Sequence, residues 1–392
     1  MDFYSGKMPI ACAGDFPLLR INRYMKIGID SFGCDHARSG LGTYLLSFIA
    51  NYQKEEDITV ELFGSPIDKF TYTSGKDIKF VPVNVADSLS AERRWHVFSS
   101  QKFVKKQGYD AVLYPAPERV IPISFKTRSV VVVNSVLDTK VDDDFVHFKR
   151  KTIKKSLDAA DKIIAASQFI ADDLVLHGID KNKIEVIYNG IDHKLFYPPI
   201  DTSDDFADIK PFAIRKPYFT YGSKLSGPEK KHIELIKAFS LFKERTGLPH
   251  RLVIAGSDGK YSDAVHKAAF ESPYAAEIFL TGFFPHESFA KLYSDSAGCI
   301  FPSTVEGVGL PILEAMATGV PVACSSACAL PEIAGNSAIF FDSDNIEEIA
   351  TSMEKIVVDD ELKNKLIANG LERAQSFNWE NTARKTIEVV KG

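Results

Sequence analysis

Residues 303–325 read STVEGVGLPILEAMATGVPVACS. The stretch continues an apolar run, GCIFPS at 298–303, and leads into another, PVACSS at 321–326. Between the two runs stand Glu306 and Glu314, with Gly307, Gly309 and Pro311 between them. Proline suits the first turn of a helix, and Gly319 suits its end. The segment therefore reads as strand, glycine loop, helix, strand. Gly307 and Gly309 let a ligand approach the backbone closely. A helix N-terminus with free N–H groups favours an anion such as a diphosphate. This reading places Glu314 in the first helical turn, where an acid also suits the helix dipole. From there a carboxylate can accept hydrogen bonds from two neighbouring ribose hydroxyls. Glu306, on the loop, points at whatever follows the diphosphate.

The same rhythm extends in both directions. Apolar runs at 25–30, 59–64, 78–83, 111–116, 129–136, 162–167 and 183–190 fill the first half. Runs at 218–223, 251–256, 277–282, 298–303, 321–326 and 338–342 fill the second. Amphipathic stretches separate them, such as PEKKHIELIKAFSLFKER, with Ile233, Ile236, Phe239 and Phe242 on one face. Alternating strands and helices predict an α/β protein with doubly wound parallel sheets. The acidic, proline-bearing segment at 197–217 breaks the rhythm and reads as an interdomain linker. The expected division is an N-terminal extension at 1–24, a first domain at 25–200, a linker at 201–216, a second domain at 217–376 and a final helix at 377–392. A cleft between the carboxyl ends of the two sheets is the expected active site.

The bulk numbers bound the function. A chain of 392 residues is too long for one compact core. A net charge of −5 argues against general affinity for nucleic acid. Five cysteines lack metal-ligand spacing and read as reduced thiols. No apolar run reaches the roughly 18 residues of a membrane span. The extension at 1–24 has no apolar core of the secretory type.

The segment at 301–342, FPSTVEGVGLPILEAMATGVPVACSSACALPEIAGNSAIFFD, resembles the signature of the family-4 retaining glycosyltransferases. VIYNGIDHKLFYP at 186–198, EIFLTGFFPHESFAKLYSDSAGCIFPS at 277–303 and ARSGLGTYLLSFI at 37–49 are similar to further segments of that family. The resemblance implies the GT-B fold, two Rossmann-like domains facing across a cleft. It implies transfer of a sugar from a nucleotide sugar to a hydroxyl acceptor, with retention at the anomeric carbon. By this resemblance Glu314 holds the nucleotide ribose and Glu306 lies near the donor sugar. Backbone N–H groups of Val308, Gly309 and Leu310 contact sugar hydroxyls and phosphate. Val308 stands where the family usually has Phe. A lysine that neutralises the diphosphate matches Lys231. Its usual arginine partner is missing, which leaves Lys224 or Lys230 as substitutes, although lysine lacks the bidentate fork.

In the first half, Gly40 and Gly42 precede the amphipathic stretch TYLLSFIANY, whose N-terminus is expected to face the cleft and put both glycines at the donor phosphate or the acceptor, and Arg38 offers positive charge there. The family's histidine after the VVV strand is absent. Ser135 stands there, with Asp138 three residues on. Nothing in the sequence shows a second acid opposite Glu306, so hydrolase-like two-carboxylate chemistry is not expected. Neither an essential metal nor a cofactor beyond the nucleotide sugar is expected. The overall pattern is most similar to bacterial O-antigen and lipopolysaccharide mannosyltransferases, which implies GDP-mannose and a cytoplasmic enzyme acting on a glycan or lipid-linked acceptor. Basic stretches at 93–107 and 147–156 fit either solvated helix faces or peripheral contact with an anionic membrane. Two other readings stay open. One is an epimerase or phosphorylase on the same fold; the other is a nucleotide-binding scaffold without transfer activity.

Overall fold

The computed structural model describes residues 24–136, 144–199 and 205–392. Residues 1–23, most of the expected extension, lie outside them, as does Asp138. The first sheet has seven strands: β1 (Met25–Asp30), β2 (Ile58–Gly64), β3 (Lys79–Pro82), β4 (Ala111–Tyr114), β5 (Arg128–Val133), β6 (Lys162–Ala165) and β7 (Ile184–Val186). Their order is β3-β2-β1-β4-β5-β6-β7, with every pair parallel. All of β4 is buried, and so is β5 beyond Arg128. Parallel strands covered on both faces need such unbroken apolar runs.

A hairpin follows, β8 (Phe206–Ile209) paired antiparallel with β9 (Phe212–Arg215). The second sheet comprises β10 (Tyr218–Gly222), β11 (Arg251–Ala255), β12 (Ile278–Gly282), β13 (Gly298–Phe301), β14 (Val322–Ser325) and β15 (Ala338–Phe341). Its order is β12-β11-β10-β13-β14-β15, the same winding as the first sheet. Each sheet reverses its strand order beside its first strand, at β1/β4 and at β10/β13. Ligand crevices form at such points.

The hairpin corrects the expectation of an aperiodic linker. Ala207, Ile209 and Ile214 are buried against Tyr218, Val253, Ala255, Phe284 and Leu292. The hairpin thus covers one face of the second sheet. The other face carries the largest core cluster, including Phe219, Phe239, Phe242 and Ile254. In the helix His232–Thr246, Leu235 joins Ile236, Phe239 and Phe242 in the core, while Ile233 is only half-buried.

The C-terminal helix, Trp379–Lys391, packs on the first domain. Its Trp379 ring meets Tyr44 edge-on at 5.6 Å. The Arg128 guanidinium holds the carbonyls of Val389 and Val390, each at 3.0 Å. A Cβ on Gly190 would lie 2.2 Å from the Trp379 nitrogen, so the chain crosses itself there without room for a side chain.

Two buried imidazoles in the second domain set an acid limit on stability. Burial pushes His232 and His250 down to about 4. An unfolded histidine titrates near 6.5. As pH falls from there towards 4, the unfolded chain binds protons that the folded chain excludes. Each group therefore removes about 1.4 kcal/mol of stability per pH unit across that window. His250 stacks on Phe219 at 5.2 Å. A His250→Phe variant should lose about 2 kcal/mol less than the wild type between pH 7 and pH 5. Urea unfolding at the two pH values checks this; equal losses would reject it.

Candidate active site in the interdomain cleft

The second-domain half of the site lies at the β10/β13 reversal. The loop after β13 runs from Pro302 to Gly309, and the helix Leu310–Ala317 follows. Gly309 caps that helix with φ +67, a conformation that favours glycine. No hydrogen bond among the described residues engages the N–H groups of Val308, Gly309 and Leu310. They are donors awaiting an acceptor at a helix N-terminus.

Glu306 and Glu314 flank these donors. Glu306 Oε2 pairs with the Lys230 ammonium at 2.9 Å. Lys230 also donates to the Val305 carbonyl at 3.3 Å. Glu314 is 7% exposed and accepts from His286 Nε2 at 2.8 Å. That hydrogen bond raises the His286 pKa. The helix begins at Leu310, so Glu314 sits beyond its first turn. Its partner is the imidazole, and the expected complement to the helix dipole does not apply. His286 belongs to the quoted FFPHES segment, but its proximity to Glu314 had no signal in the sequence.

The lysines require a correction. Lys231, the expected phosphate ligand, is ion-paired with Asp344 and Glu234. It occupies the left-handed region at φ +56 and caps the helix His232–Thr246. The reversal there separates two neighbouring side chains: Lys230 enters the site and Lys231 leaves it. Lys224 is exposed. Its loop is fixed by close packing, since a Cβ on Gly256 would fall 2.0 Å from the Ser223 carbonyl, and the neighbouring Ser223 lines a small cavity with Glu306 and Gly309.

The first domain supplies the opposite wall. After β1 the chain turns through Asp35, His36 and Ala37, all left-handed, at φ 52, 51 and 65. Each such residue costs roughly 1–2 kcal/mol. Three contacts hold the turn. Ala37 N–H donates to the Tyr72 hydroxyl at 2.8 Å, His36 Nδ1 meets buried Asp68 at 2.7 Å, and Ser31 Oγ donates to Asp68 at 2.6 Å. Burial opposes the charged His36 ring, but its bonds to Asp68 and Asp87 outweigh burial and raise its pKa. The turn delivers Arg38 to the cleft, exposed and without an ion pair among the described residues. A cavity of about 350 Å³ joins Arg38, Gly40 and Asn189 to His286, Leu310 and Glu314. A larger groove of about 920 Å³ lies between helices His232–Thr246 and Ser262–Glu271, away from the strand ends.

Gly40 and Gly42 have different roles. Nothing lies within 4 Å of a Cβ at Gly40. At Gly42 it would meet the Cys34 carbonyl at 2.1 Å and Ala37 Cα at 2.5 Å. Gly42 therefore packs on the left-handed turn, which corrects its expected place on the donor. We expect Gly42→Ala to destabilise by about 1–3 kcal/mol and to cut kcat/KM at least about tenfold by moving Arg38. Gly40→Ala should melt like the wild type. Thermal melts with parallel assays decide; equal melting of both variants would refute the distinction.

Gly307 and Val308 reach across the cleft. Ser167 Oγ donates to the Gly307 carbonyl at 2.7 Å, and Val308 packs against the first-domain core. Glu332 accepts from the N–H groups of Gln168 and Phe169 at 2.6 and 2.9 Å. It thereby caps a helix of the other domain. Ser135 donates from Oγ to Glu118 at 3.0 Å. The Glu118 carboxyl thus stands behind Ser135 on the first-domain side, where no acid was expected. Neither Glu118 nor Glu332 carries a spacing signal, because tertiary packing alone creates their contacts.

The comparisons agree with this architecture. Residues 38–195 match Glycosyltransferase Family 4, and residues 205–373 match Glycosyl transferases group 1. O-antigen chain mannosyltransferase B of Escherichia coli is 27% identical over 63% of this chain and 65% of its own length. D-inositol 3-phosphate glycosyltransferase of a Nocardioides strain is 26% identical over 60% of this chain and 54% of its own. The matched part thus spans less than two thirds of either relative. HepE of Anabaena, solved with UDP and glucose, aligns with a TM-score of 0.72 at 17% identity, over 94% of this chain and 100% of that one. Sucrose-phosphate synthase of Thermosynechococcus elongatus aligns with a TM-score of 0.71 at 20% identity, over 94% and 98%. With a family-4 domain joined to a group 1 domain around one cleft, the chain belongs to the glycosyltransferases of the GT-B fold.

Proposed function

We propose that the chain is a retaining mannosyltransferase that moves mannose from GDP-mannose to a hydroxyl of a glycan or lipid-linked acceptor. The carrying observation is the run of unengaged N–H groups at Val308, Gly309 and Leu310, between the Glu306–Lys230 pair and Glu314. Glu314 takes the ribose hydroxyls. The N–H groups and Lys230 take the diphosphate, and Arg38 adds charge from the opposite domain. Glu306 and its loop face the sugar. The acceptor hydroxyl attacks the anomeric carbon on the face the diphosphate leaves. The C–O bond to phosphate breaks, and the acceptor proton passes to the departing phosphate oxygen. The protein's part is positioning and stabilisation of the leaving charge. No residue set is invoked for a metal.

The mannose assignment draws on the mannosyltransferase relatives; a UDP-hexose is the next choice. Peripheral contact with the cytoplasmic face of a membrane fits the helices Leu89–Phe98 and Ser100–Gln107. They expose Phe98 beside a set of cations, Arg94, Lys102, Lys105 and Lys106. No helix among the described residues is long and apolar enough to cross a membrane.

Incubation with GDP-mannose and octyl α-mannoside, followed by NMR of the product, tests the reading. An α-linked product supports it. A β-linked product rejects retention. Turnover with water or phosphate alone favours an epimerase or phosphorylase. Nucleotide binding without any turnover favours a scaffold.

A further inference from the structure

The first domain holds a cluster that the donor site does not use. Glu118 follows β4, Asn134 follows β5 and Asn189 follows β7, so all three lie at the carboxyl edge of the first sheet. Glu118 Oε1 accepts from the Asn134 N–H at 3.1 Å and from Ser135 Oγ at 3.0 Å. Asn189 Nδ2 donates to Asn134 Oδ1 at 2.9 Å. Each of the three still has one buried atom without a partner: Glu118 Oε2, Asn134 Nδ2 and Asn189 Oδ1. Turning both amides over swaps the atoms but still leaves one donor and one acceptor unpaired. Buried polar atoms in native proteins are nearly always paired. Three linked exceptions at a strand edge point to a ligand.

The position says which part of a ligand. A Cβ on Gly307 would fall 3.2 Å from the Asn134 carbonyl and 3.4 Å from Ser135 Cα, so the loop carrying Glu306 lies against the cluster. Asn189, 5% exposed, also lines the cavity shared with Arg38 and Glu314. A group that reaches the cluster does so between the two domains. A carboxyl oxygen beside an amide donor and an amide acceptor suits hydroxyls, which both donate and accept. It does not suit a phosphate, whose oxygens mainly accept and would leave the amide acceptor unpaired.

We propose that Glu118, Asn134 and Asn189 form a subsite for the vicinal hydroxyls of a pyranose ring held between the domains. The ring is either the donor's sugar or the acceptor's terminal sugar, and the chemistry is the same. The proposal rests on the nucleotide-sugar reading. It also gives Ser135 a positioning role: its hydroxyl fixes the Glu118 carboxyl and leaves Oε2 for the ring.

The test uses the full chain with Glu118→Gln and Asn134→Ala, after melts establish folding. One arm measures calorimetric affinities for GDP and GDP-mannose, and for UDP and UDP-glucose; the ratio within a pair reads the sugar's contribution. The other arm measures KM for octyl α-mannoside. Loss of one such bond is worth about tenfold. A tenfold fall in the ratio, with affinity for the bare nucleotide unchanged, supports the donor's ring. A tenfold rise in acceptor KM, with the ratio unchanged, supports the acceptor's ring. Variants in which both quantities stay at wild-type values overturn the subsite. So do variants whose melting temperature and bare-nucleotide affinity fall together, which is the mark of a structural role. A wild type that binds no nucleotide overturns the donor reading, and the subsite with it, before any variant is compared.

Discussion

Lys230→Ala should lower kcat/KM by about 10²–10³-fold, while Lys231→Ala stays within a few-fold of the wild type. The first figure is the usual cost of removing one preorganised group that stabilises charge on a leaving oxygen. Lys230 is the ammonium that the cleft retains, 2.9 Å from Glu306. The usual arginine partner is absent, so few cations share the load. Removing Lys230 also strips Glu306 of its counter-charge and sets an unpaired carboxylate near the diphosphate, which adds repulsion. Lys231 is half-buried and already engaged with Asp344 and Glu234, of which Asp344 is largely exposed, so its charge is satisfied outside the cleft. Steady-state kinetics on the two single variants separate them. Equal losses, or a larger loss for Lys231, would return the phosphate role to Lys231.

Glu314→Ala should weaken nucleotide binding on the order of 100-fold. Hydrogen bonds to a charged group contribute about 1.5–3 kcal/mol each, and tenfold in affinity corresponds to about 1.4 kcal/mol. The fold should survive, because the partner left behind can be hydrated: the His286 side chain is 53% exposed. Glu314→Gln keeps the shape and one acceptor, so its loss should be smaller. An alanine variant that binds nucleotide as the wild type does would remove Glu314 from the ribose.

Much of this was legible in the residues, for identifiable reasons. The thirteen parallel strands are short apolar runs between amphipathic segments, a pattern that buried parallel sheets impose. The β8–β9 hairpin was not legible. Its strands are four residues long, only Ala207, Ile209 and Ile214 turn inward, and Pro211 in its turn and Pro217 just after it read like a linker. The two glutamates stood out because a glycine loop and a helix start lie between them. The choice between Lys230 and Lys231 could not be read, since one left-handed residue decides which side chain enters the cleft. Gly40 and Gly42 look alike in sequence; only the turn at Asp35–Ala37 shows that one of them is walled in. Glu118 was invisible, because its contacts come from a neighbouring strand end and from no local pattern.

Thermal unfolding with GDP, UDP and ADP, on the wild type and on Glu314→Ala, tests most directly whether the cleft is a nucleotide-sugar site. A nucleotide at 100 times its dissociation constant adds roughly 2.7 kcal/mol to a reversible unfolding. The wild type should be stabilised by GDP, and the variant at the same concentration should not. A folded wild type that none of the three nucleotides stabilises would contradict the donor site and everything built on it.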